Sequence, residues 1–258
     1  MRKKLIVFLL STLVLFSYTD SDMGGVEDKD DKCPNSSLTE LVNLEGCTIE
    51  NLEKAYHLDV ILGASYTQGS DIVIATPSLQ IDYFYKDFSL QLSSSYSEID
   101  FNGMVESGQN NTYLNGFYQI KSSDNFLLRI GTGIAFPTSD SSSNKADYTL
   151  SFYGTYRYQK SSFLMGLGST LMGDKNLQNE NPLFYTLGYG YYISDSFYTS
   201  MSINKVESIY TKNETLDTLS FYSYKTLSKN WFLTLNYTHG LNAEALDSSI
   251  GGRIGYYW

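Results

Sequence analysis

Apolar and polar side chains alternate with a period of two along most of the chain, from about residue 56 to the end. Within residues 146–158, for example, Tyr148, Leu150 and Phe152 occupy one set of alternate positions, and mainly polar residues occupy the other. Such alternation is typical of β-strands that present one apolar and one polar face. The pattern therefore predicts an all-β fold in which one face of the sheet is apolar.

Twelve segments of this kind can be counted, and the connections between them alternate between short and long. The segments begin near residues 56, 77, 87, 112, 125, 146, 162, 182, 196, 216, 230 and 248. The short connections are residues 86–87, 122–125, 160–162, 194–196 and 228–230, and the long ones include residues 97–111, 137–145, 173–181 and 205–215. An even strand number with turns at one end and loops at the other is typical of transmembrane β-barrels. We therefore predict an antiparallel up-and-down barrel over residues 55–258, with about 12 strands, short periplasmic turns, longer extracellular loops and both termini in the periplasm.

Two aromatic features favour a membrane barrel over a soluble β-sandwich, which also alternates. An aromatic residue follows each short turn, at spacings of 38, 37, 34 and 34 residues: Phe88, Phe126, Phe163, Phe197 and Trp231. At one height on every second strand, these rings would form an interfacial girdle. The chain ends in I-G-G-R-I-G-Y-Y-W, which resembles the C-terminal assembly signal of outer-membrane proteins. The whole region resembles the porin-like outer-membrane β-barrels of Gram-negative bacteria, which implies outer-membrane lipid, lipopolysaccharide and the barrel assembly machinery as partners.

The composition excludes several other classes of protein. Of the 258 residues, 15% are aromatic and only 18% are charged, whereas about a quarter of the residues of a soluble protein are charged. Disordered chains have few aromatics. The net charge is -10 at pH 7, which offers no basic surface for a nucleic acid. We expect no nucleic-acid partner, and the oligomeric state is not predicted.

The first residues predict export from the cytoplasm. Arg2, Lys3 and Lys4 precede an apolar run over residues 5–16, and small residues follow, which is the pattern of a secretory signal peptide over residues 1–19. In an oxidising compartment, the two cysteines of the chain, Cys33 and Cys47, are expected to form a structural disulfide.

Residues 20–54, which we call the collar, differ in charge from the predicted barrel. They carry ten acidic and three basic side chains. Gly24 and Gly25 permit a sharp turn among several carboxylates, and a loop rich in oxygen suits a hard cation such as Ca²⁺. The candidate ligands are Asp20, Asp22, Asp28 and Asp31. The alternative is that these carboxylates are only solvated charge.

The collar resembles the thrombospondin type 3 repeat, which also occurs as the periplasmic linker of OmpA-like proteins. The matching string, D-S-D-M-G-G-V-E-D-K-D-D-K-C-P, starts at Asp20 and is followed by G-C at residues 46–47. The resemblance implies that the four aspartates bind calcium and that the two cysteines pair. Gly24 stands where the family has a third Asp, which removes one ligand. Calcium is the only cofactor that we predict.

The phase of the strands predicts which side chains point into the barrel. The predicted lumen charges are Arg129, Arg157, Arg253, Asp59, Asp82 and Asp147. Serines at alternate positions of residues 89–97, together with many inward glycines, add little bulk. Barrels of eight strands are filled by side chains and those of sixteen are open. We therefore expect a narrow or partly closed pore, with space beside the small residues.

The leading hypothesis for function is a porin-like channel for the passive diffusion of small hydrophilic solutes, in which the lumen charges set a transverse field. The first alternative is a structural or surface-interaction barrel with a plugged lumen, in which residues 38–55 could form the plug. The second is an outer-membrane lipid hydrolase, which needs a nucleophile and a base. Only His57 and His239 could serve as an imidazole base, and no hydrolase signature surrounds them. We expect that the protein is not an enzyme.

Overall fold

The structure is a computed structural model of the chain. It describes Asp20, Ser21, Val26, Asp28, and residues 31–33, 45–47, 56–139, 145–174, 181–210 and 214–258. The predicted signal peptide, Asp22 and most of the predicted plug over residues 38–55 lie outside these residues. No helix within the described ranges is long and apolar enough to cross a membrane.

The described part of the chain forms antiparallel β-strands, as its alternating pattern predicts. They are β1 (Tyr56–Gln68), β2 (Ile72–Tyr85), β3 (Phe88–Phe101), β4 (Met104–Gln109), β5 (Thr112–Ser123), β6 (Phe126–Phe136), β7 (Asp147–Tyr158), β8 (Ser161–Leu171), β9 (Leu183–Ser194), β10 (Phe197–Glu207), β11 (Thr215–Thr226), β12 (Trp231–Gly240) and β13 (Ser248–Tyr257).

The strands close into one barrel. β1 pairs with β2 on one side and with β13 on the other, and sequential neighbours pair around the rest of the sheet. Along β3 the partner changes from β5 to β4, so β4 and β5 together occupy one position in the wall. The wall therefore has twelve strand positions, and the predicted closed antiparallel 12-strand barrel is confirmed.

The two ends of the barrel differ in their connections. At one end, which we call the turn end, the links are short, and the barrel region both begins and ends there. These links are residues 86–87, 124–125, 159–160, 195–196 and 227–230. At the opposite end, the loop end, residues 137–146, 172–182, 208–214 and 241–247 form longer connections. The predicted asymmetry between turns and loops is therefore present in the fold.

One predicted loop is a β-hairpin. Residues 97–111 were expected to be a polar loop, but β3 continues to Phe101 and β4 begins at Met104. Asn102 and Gly103 form the turn between them, with φ of 52° and 82°, and a two-residue turn with positive φ at both positions matches the twist of a hairpin. β2 likewise begins at Ile72, five residues before the predicted start near residue 77.

The outer surface of the barrel is apolar and carries aromatic side chains near the turn end. Leu62, Leu167 and Leu187 are 57%, 56% and 69% exposed on this surface. Near the turn end, aromatic rings of adjacent strands contact one another: the ring centroids are 5.5 Å apart for Phe163 and Tyr189 and 4.9 Å apart for Trp231 and Tyr256. Phe163 and Trp231 were both predicted members of this girdle.

The inner wall pairs glycines with aromatic rings on neighbouring strands. Phe117 stands opposite Gly131 and Tyr153 stands opposite Gly166, and β-carbons at those glycines would lie 2.6 Å and 2.9 Å from the rings. The other pairs are Phe184 with Gly168, Tyr198 with Gly190 and Phe232 with Gly255. The expectation that these glycines leave the lumen open beside them is therefore wrong. Their missing side chains let aromatic rings lie close to the wall.

Adding a single methyl group on the inner wall tests this packing. Gly131→Ala would place a β-carbon 2.6 Å from the Phe117 ring, and overpacking of this kind costs about 1–3 kcal/mol. We expect a lower urea midpoint for unfolding of the refolded barrel. The matched control is Gly116→Ala, because its β-carbon would have no neighbour closer than 3.5 Å. Equal midpoints for the two variants would contradict the packing.

Candidate functional site: the lumen and its turn-end mouth

The lumen wall carries both acidic and basic side chains. On β1 and β2, Asp59 stands opposite Asp82 in the strand register, and the two carboxylates are 0% and 2% exposed. Gln80 donates to both carboxylate oxygens of Asp82, at 3.1 and 2.8 Å, and Arg253 donates to Gln80 Oε1 at 3.0 Å. The amide of Gln80 therefore links the guanidinium of Arg253 to the buried carboxylate of Asp82.

A histidine adjoins this acidic group. The Nε2 atom of His57 lies 3.6 Å from a carboxylate oxygen of Asp59. Its imidazole stacks on the Phe84 ring, with centroids 4.3 Å apart. The stacking fixes the ring plane, so the nitrogen that faces Asp59 is held in place. His239, by contrast, lies near the loop-end terminus of β12, so the two histidines are at opposite ends of the barrel.

Basic side chains lie on another part of the wall. Arg129 on β6 has its guanidinium carbon 3.7 Å from the centroid of the Phe117 ring, and it donates to Ser89 Oγ at 3.3 Å. Arg157 is the residue before the last of β7. β6 and β7 are three to five strands away from β1 and β2 around the twelve-strand wall. Arg129 and Arg157 thus come from a different part of the wall than the acidic pair, whereas Arg253, on β13, lies beside that pair.

The structure places all six predicted lumen charges on inward positions. Asp147, at the first position of β7, lies at the loop end and is 5% exposed. Its carboxylate accepts a hydrogen bond from the backbone N–H of Gly173 at 2.8 Å. It is therefore remote from the acidic pair formed by Asp59 and Asp82, which lies nearer the turn end.

Aromatic side chains fill part of the lumen at the turn end. Tyr198, Tyr224, Phe232 and Tyr257 are buried together with Ile61. Within this group, the hydroxyl oxygens of Tyr224 and Tyr257 are 2.9 Å apart and form a hydrogen bond. The sequence pattern points these residues inward but does not show that they meet, because they come from four different strands. The cluster narrows the turn-end half of the lumen along β10 to β13.

Residues 31–33 and 45–47 of the collar are joined by a disulfide and two hydrogen bonds. Cys33 and Cys47 form a disulfide with Cα atoms 4.9 Å apart. Lys32 donates to Glu45 at 2.9 Å and lowers the pKa of the Glu45 carboxyl below its ordinary value. The backbone N–H of Lys32 also donates to the carbonyl of Glu45, at 2.6 Å. Gly46, at a φ of 76°, has no room for a side chain against Asp31.

The collar also contacts the lumen wall at the turn end. A carboxylate oxygen of Asp28 lies 3.6 Å from an Arg157 guanidinium nitrogen, and the two side chains are 1% and 11% exposed. Asp28 accepts hydrogen bonds from the backbone N–H and the hydroxyl of Ser21. The hydroxyl of Tyr192, on β9, donates to Ser21 Oγ. This group, which we call the mouth contact, consists of Ser21, Asp28, Arg157 and Tyr192.

The mouth contact was not predicted as a unit. The sequence identified Asp28 as a calcium ligand and Arg157 as a lumen charge, but Ser21 carried no signal. Ion pairs between residues so far apart in sequence leave no local pattern. Tyr198 was also not identified from the sequence. Its hydroxyl lies 2.9 Å from Ser162 Oγ, and its ring centroid is 4.8 Å from that of Tyr192. Its alternate position on β10 was the available signal.

The candidate calcium ligands of the collar are only partly among the described residues. Asp28 binds Ser21 and faces Arg157, and Asp31 Oδ1 accepts from the backbone N–H of Cys33 at 2.7 Å. Ca²⁺ takes six to eight oxygen ligands, and within the described ranges no group of three or more candidate ligands could hold a metal ion. Asp22 lies outside those ranges. Calcium binding by the collar therefore stays a prediction.

Comparisons with known proteins identify the fold. No family model matches the chain, and no curated protein matches it in sequence. Among solved structures, the KdgM porin is similar with a TM-score of 0.56 at 12% identity, over 77% of this chain and 98% of the porin. The NanC porin is similar with a TM-score of 0.55 at 14% identity, over 76% of this chain and 97% of the porin. The chain thus shares the barrel fold of these porins.

Removing the positive charge of Arg157 tests whether the mouth contact holds the collar at the barrel. Arg157→Gln leaves the Asp28 carboxylate buried without its guanidinium, which is strongly unfavourable. We therefore expect the collar to leave the mouth and trypsin to cleave after the collar lysines several times faster. Lys205→Gln is the control, because Lys205 pairs with Asp217 at 3.1 Å near the loop end. Unchanged cleavage in Arg157→Gln would show that the collar is not held by this pair.

Proposed function

We propose that this protein is an outer-membrane channel for the passive diffusion of small hydrophilic solutes. The observation that carries the proposal is a closed twelve-strand barrel with an apolar outer surface and a charged, largely polar inner wall. The porins with which it shares its fold are consistent with this function. The described wall includes serine, asparagine and glutamine positions that can hydrogen-bond to water or to a solute.

The distribution of outer charges supports a membrane location. Among the outward charges of the described strands, Lys205 and Asp217 lie near the loop end and Lys225 lies near the turn end. Lys86 and Lys225 lie 5.6 Å from the ring centroids of Tyr85 and Phe197, respectively. A cation at mid-membrane on the lipid face costs about 2–4 kcal/mol, and much less near an interface. The outer surface therefore suits a bilayer bounded by the two barrel ends.

The proposed orientation places the turn end in the periplasm. Short turns on the periplasmic side and longer loops outside are typical of such barrels, and the collar would then lie in the oxidising periplasm, where a disulfide persists. Lipid, lipopolysaccharide and the assembly machinery that recognises a C-terminal strand are the expected partners. β13 is that strand, and it pairs with β1 to complete the wall.

A closed structural barrel is the second candidate function. The specific observation that favours it is the mouth contact, because buried collar residues and the neighbouring aromatic cluster occupy lumen space at the turn end. In the channel proposal the collar restricts the mouth, and solutes pass beside it or after its displacement. In the structural alternative the lumen stays closed. The two proposals differ in conductance.

A lipid-hydrolase function has little support from the histidines. The imidazole of His57 faces Asp59 and stacks on Phe84 inside the wall, whereas an enzyme acting on lipid needs a base that lipid can reach. His239 is near the loop end of the barrel. We propose a non-enzymatic protein.

Planar-bilayer recording distinguishes the channel from the structural barrel. We expect discrete conductance steps from the refolded protein, and larger steps after deletion of residues 20–54, because Ser21 and Asp28 then leave the mouth. Heat-modifiable migration on a gel checks that the deleted form still folds as a barrel. The absence of steps from both folded forms would reject the channel and favour the structural barrel.

Charge selectivity tests the role of the lumen charges. Arg129→Gln removes a positive group from one part of the wall, and Asp59→Asn removes a negative group from another. In a salt gradient, the reversal potential should shift towards cation selectivity for the first variant and towards anion selectivity for the second. Asp217→Asn, an outward change near the loop end, is the control. Shifts in the same direction would contradict the proposed role of these groups.

A further inference from the structure

A cavity lies against the inner wall in the loop-end half of the lumen, away from the mouth contact. It has a volume of about 70 Å³ and is lined by residues of β5 to β10 and of the segments that follow β8 and β10. About 10–15 Å³ of such space accommodates one water molecule, so the cavity has room for roughly five to seven non-hydrogen atoms. This is the size of a small organic solute.

Most of the cavity lining is apolar or aromatic. Tyr113, Phe117, Tyr153 and Phe184 supply four aromatic rings. Met172 and Ile209, just beyond the ends of β8 and β10, are 7% and 4% exposed and cover the cavity from the loop side. Aromatic rings have negatively charged faces, which attract cations when water is excluded.

Two carboxylates complete the lining. Asp147 is 5% exposed, its carboxylate accepts a hydrogen bond from the Gly173 backbone N–H, and no basic side chain of the described ranges lies within salt-bridge distance of it. Glu207 accepts from the Leu183 N–H at 3.0 Å. Within the described ranges no Lys, Arg or His lines the cavity. The described lining therefore carries negative charge but no positive charge.

The nearest lumen arginine lies at the end of the cavity away from Asp147. Along β6 and β7, Asp147 stands opposite Ala135, whereas Arg129 stands opposite Tyr153. The six-residue separation corresponds to about 20 Å along a strand. The guanidinium of Arg129 lies 3.7 Å from the centroid of Phe117, a lining ring four residues along β5 from Tyr113.

Besides the rings and carboxylates, a buried amide also indicates that the cavity binds a ligand. Asn115 lines the cavity and is 7% exposed, and its Nδ2 group has no hydrogen-bond partner within the described part of the chain. A buried donor without an acceptor is costly. It stands two residues from Tyr113, the register partner of Ala135, so it lies close to the Asp147 end of the cavity. An oxygen of a bound solute would satisfy it.

We propose that this cavity binds a small organic cation that also carries an oxygen acceptor, such as an amino alcohol or a quaternary ammonium alcohol. The cationic group lies beside Asp147 and Glu207 and contacts the aromatic rings. The oxygen accepts a hydrogen bond from Asn115. Binding of this kind does not require that the barrel conducts, so the inference stands apart from the proposed channel function.

Calorimetric titration of the refolded full-length protein tests the ligand class. Choline, which has seven non-hydrogen atoms and a hydroxyl oxygen, is the probe, and 3,3-dimethylbutan-1-ol is its uncharged counterpart of the same shape. We expect choline to bind at least about tenfold more tightly than the alcohol, because a desolvated cation gains both charge and aromatic contacts. Equal affinities, or no saturable binding of choline, would overturn the proposal.

Matched aspartate variants locate the site. Asp147→Asn keeps the acceptor for the Gly173 N–H but removes the charge, so choline binding should weaken by roughly tenfold while binding of the alcohol is unchanged. Asp217→Asn, which removes an outward carboxylate near the same end, should leave both affinities unchanged. Heat-modifiable migration confirms folding of each variant. Choline binding that is unaffected by Asp147→Asn would place the cation elsewhere and overturn the proposal. If choline binds while conductance is absent, only the channel function fails.

Discussion

The pairing of β1 with β13 is the constraint on which the rest of the structure depends. It joins the first and last strands through ten register pairs, so the wall is closed, and of the described strands only the short β4, at the loop end, has one unpaired side. In a lipid environment each unpaired backbone group costs several kcal/mol, and closure removes that cost. Closure also fixes which alternate side chains point inward. The inward positions of Asp59 and Arg253 follow from it, because both lie on these two strands.

A closed barrel wall of small diameter limits the size of the side chains that fit inside it. Aromatic rings opposite glycines meet this limit, because the ring of one strand occupies the space that a β-carbon of the next would fill. At the turn end, Tyr198 and Phe232 lie against glycines and also pack together with Tyr224, so that they fill lumen space. Rings over glycines therefore have two effects: they cover the wall, and where they cluster they narrow the passage. The composition alone does not distinguish these effects.

Much of the fold was predictable because one physical requirement acts on almost every strand. An apolar outer face imposes a period of two, and the lengths of the connections then identify the two ends. The β3–β4 hairpin was missed because the apolar outer face of β3 does not continue there: Glu98 and Asp100 take the outward positions, and Ile99 and Phe101 the inward ones. Asn102-Gly103 was the remaining signal. The inward placement of Arg157 followed from strand phase. Its partner Asp28 could not be predicted, because nothing local relates the collar to β7.

The collar is joined to itself and to the barrel by ion pairs of different character. Lys32 and Glu45 are largely exposed, with 68% and 40% of their side-chain surface accessible, so salt screens their attraction and the disulfide is the main constraint on that part of the collar. Asp28 and Arg157 are almost completely buried, where screening is weak and an unpaired charge is unfavourable. Ionic strength therefore has little effect on the mouth contact. Displacement of the collar from the mouth requires that both buried charges become hydrated or acquire other partners, and the guanidinium of Arg157 then becomes available to an anion in the lumen.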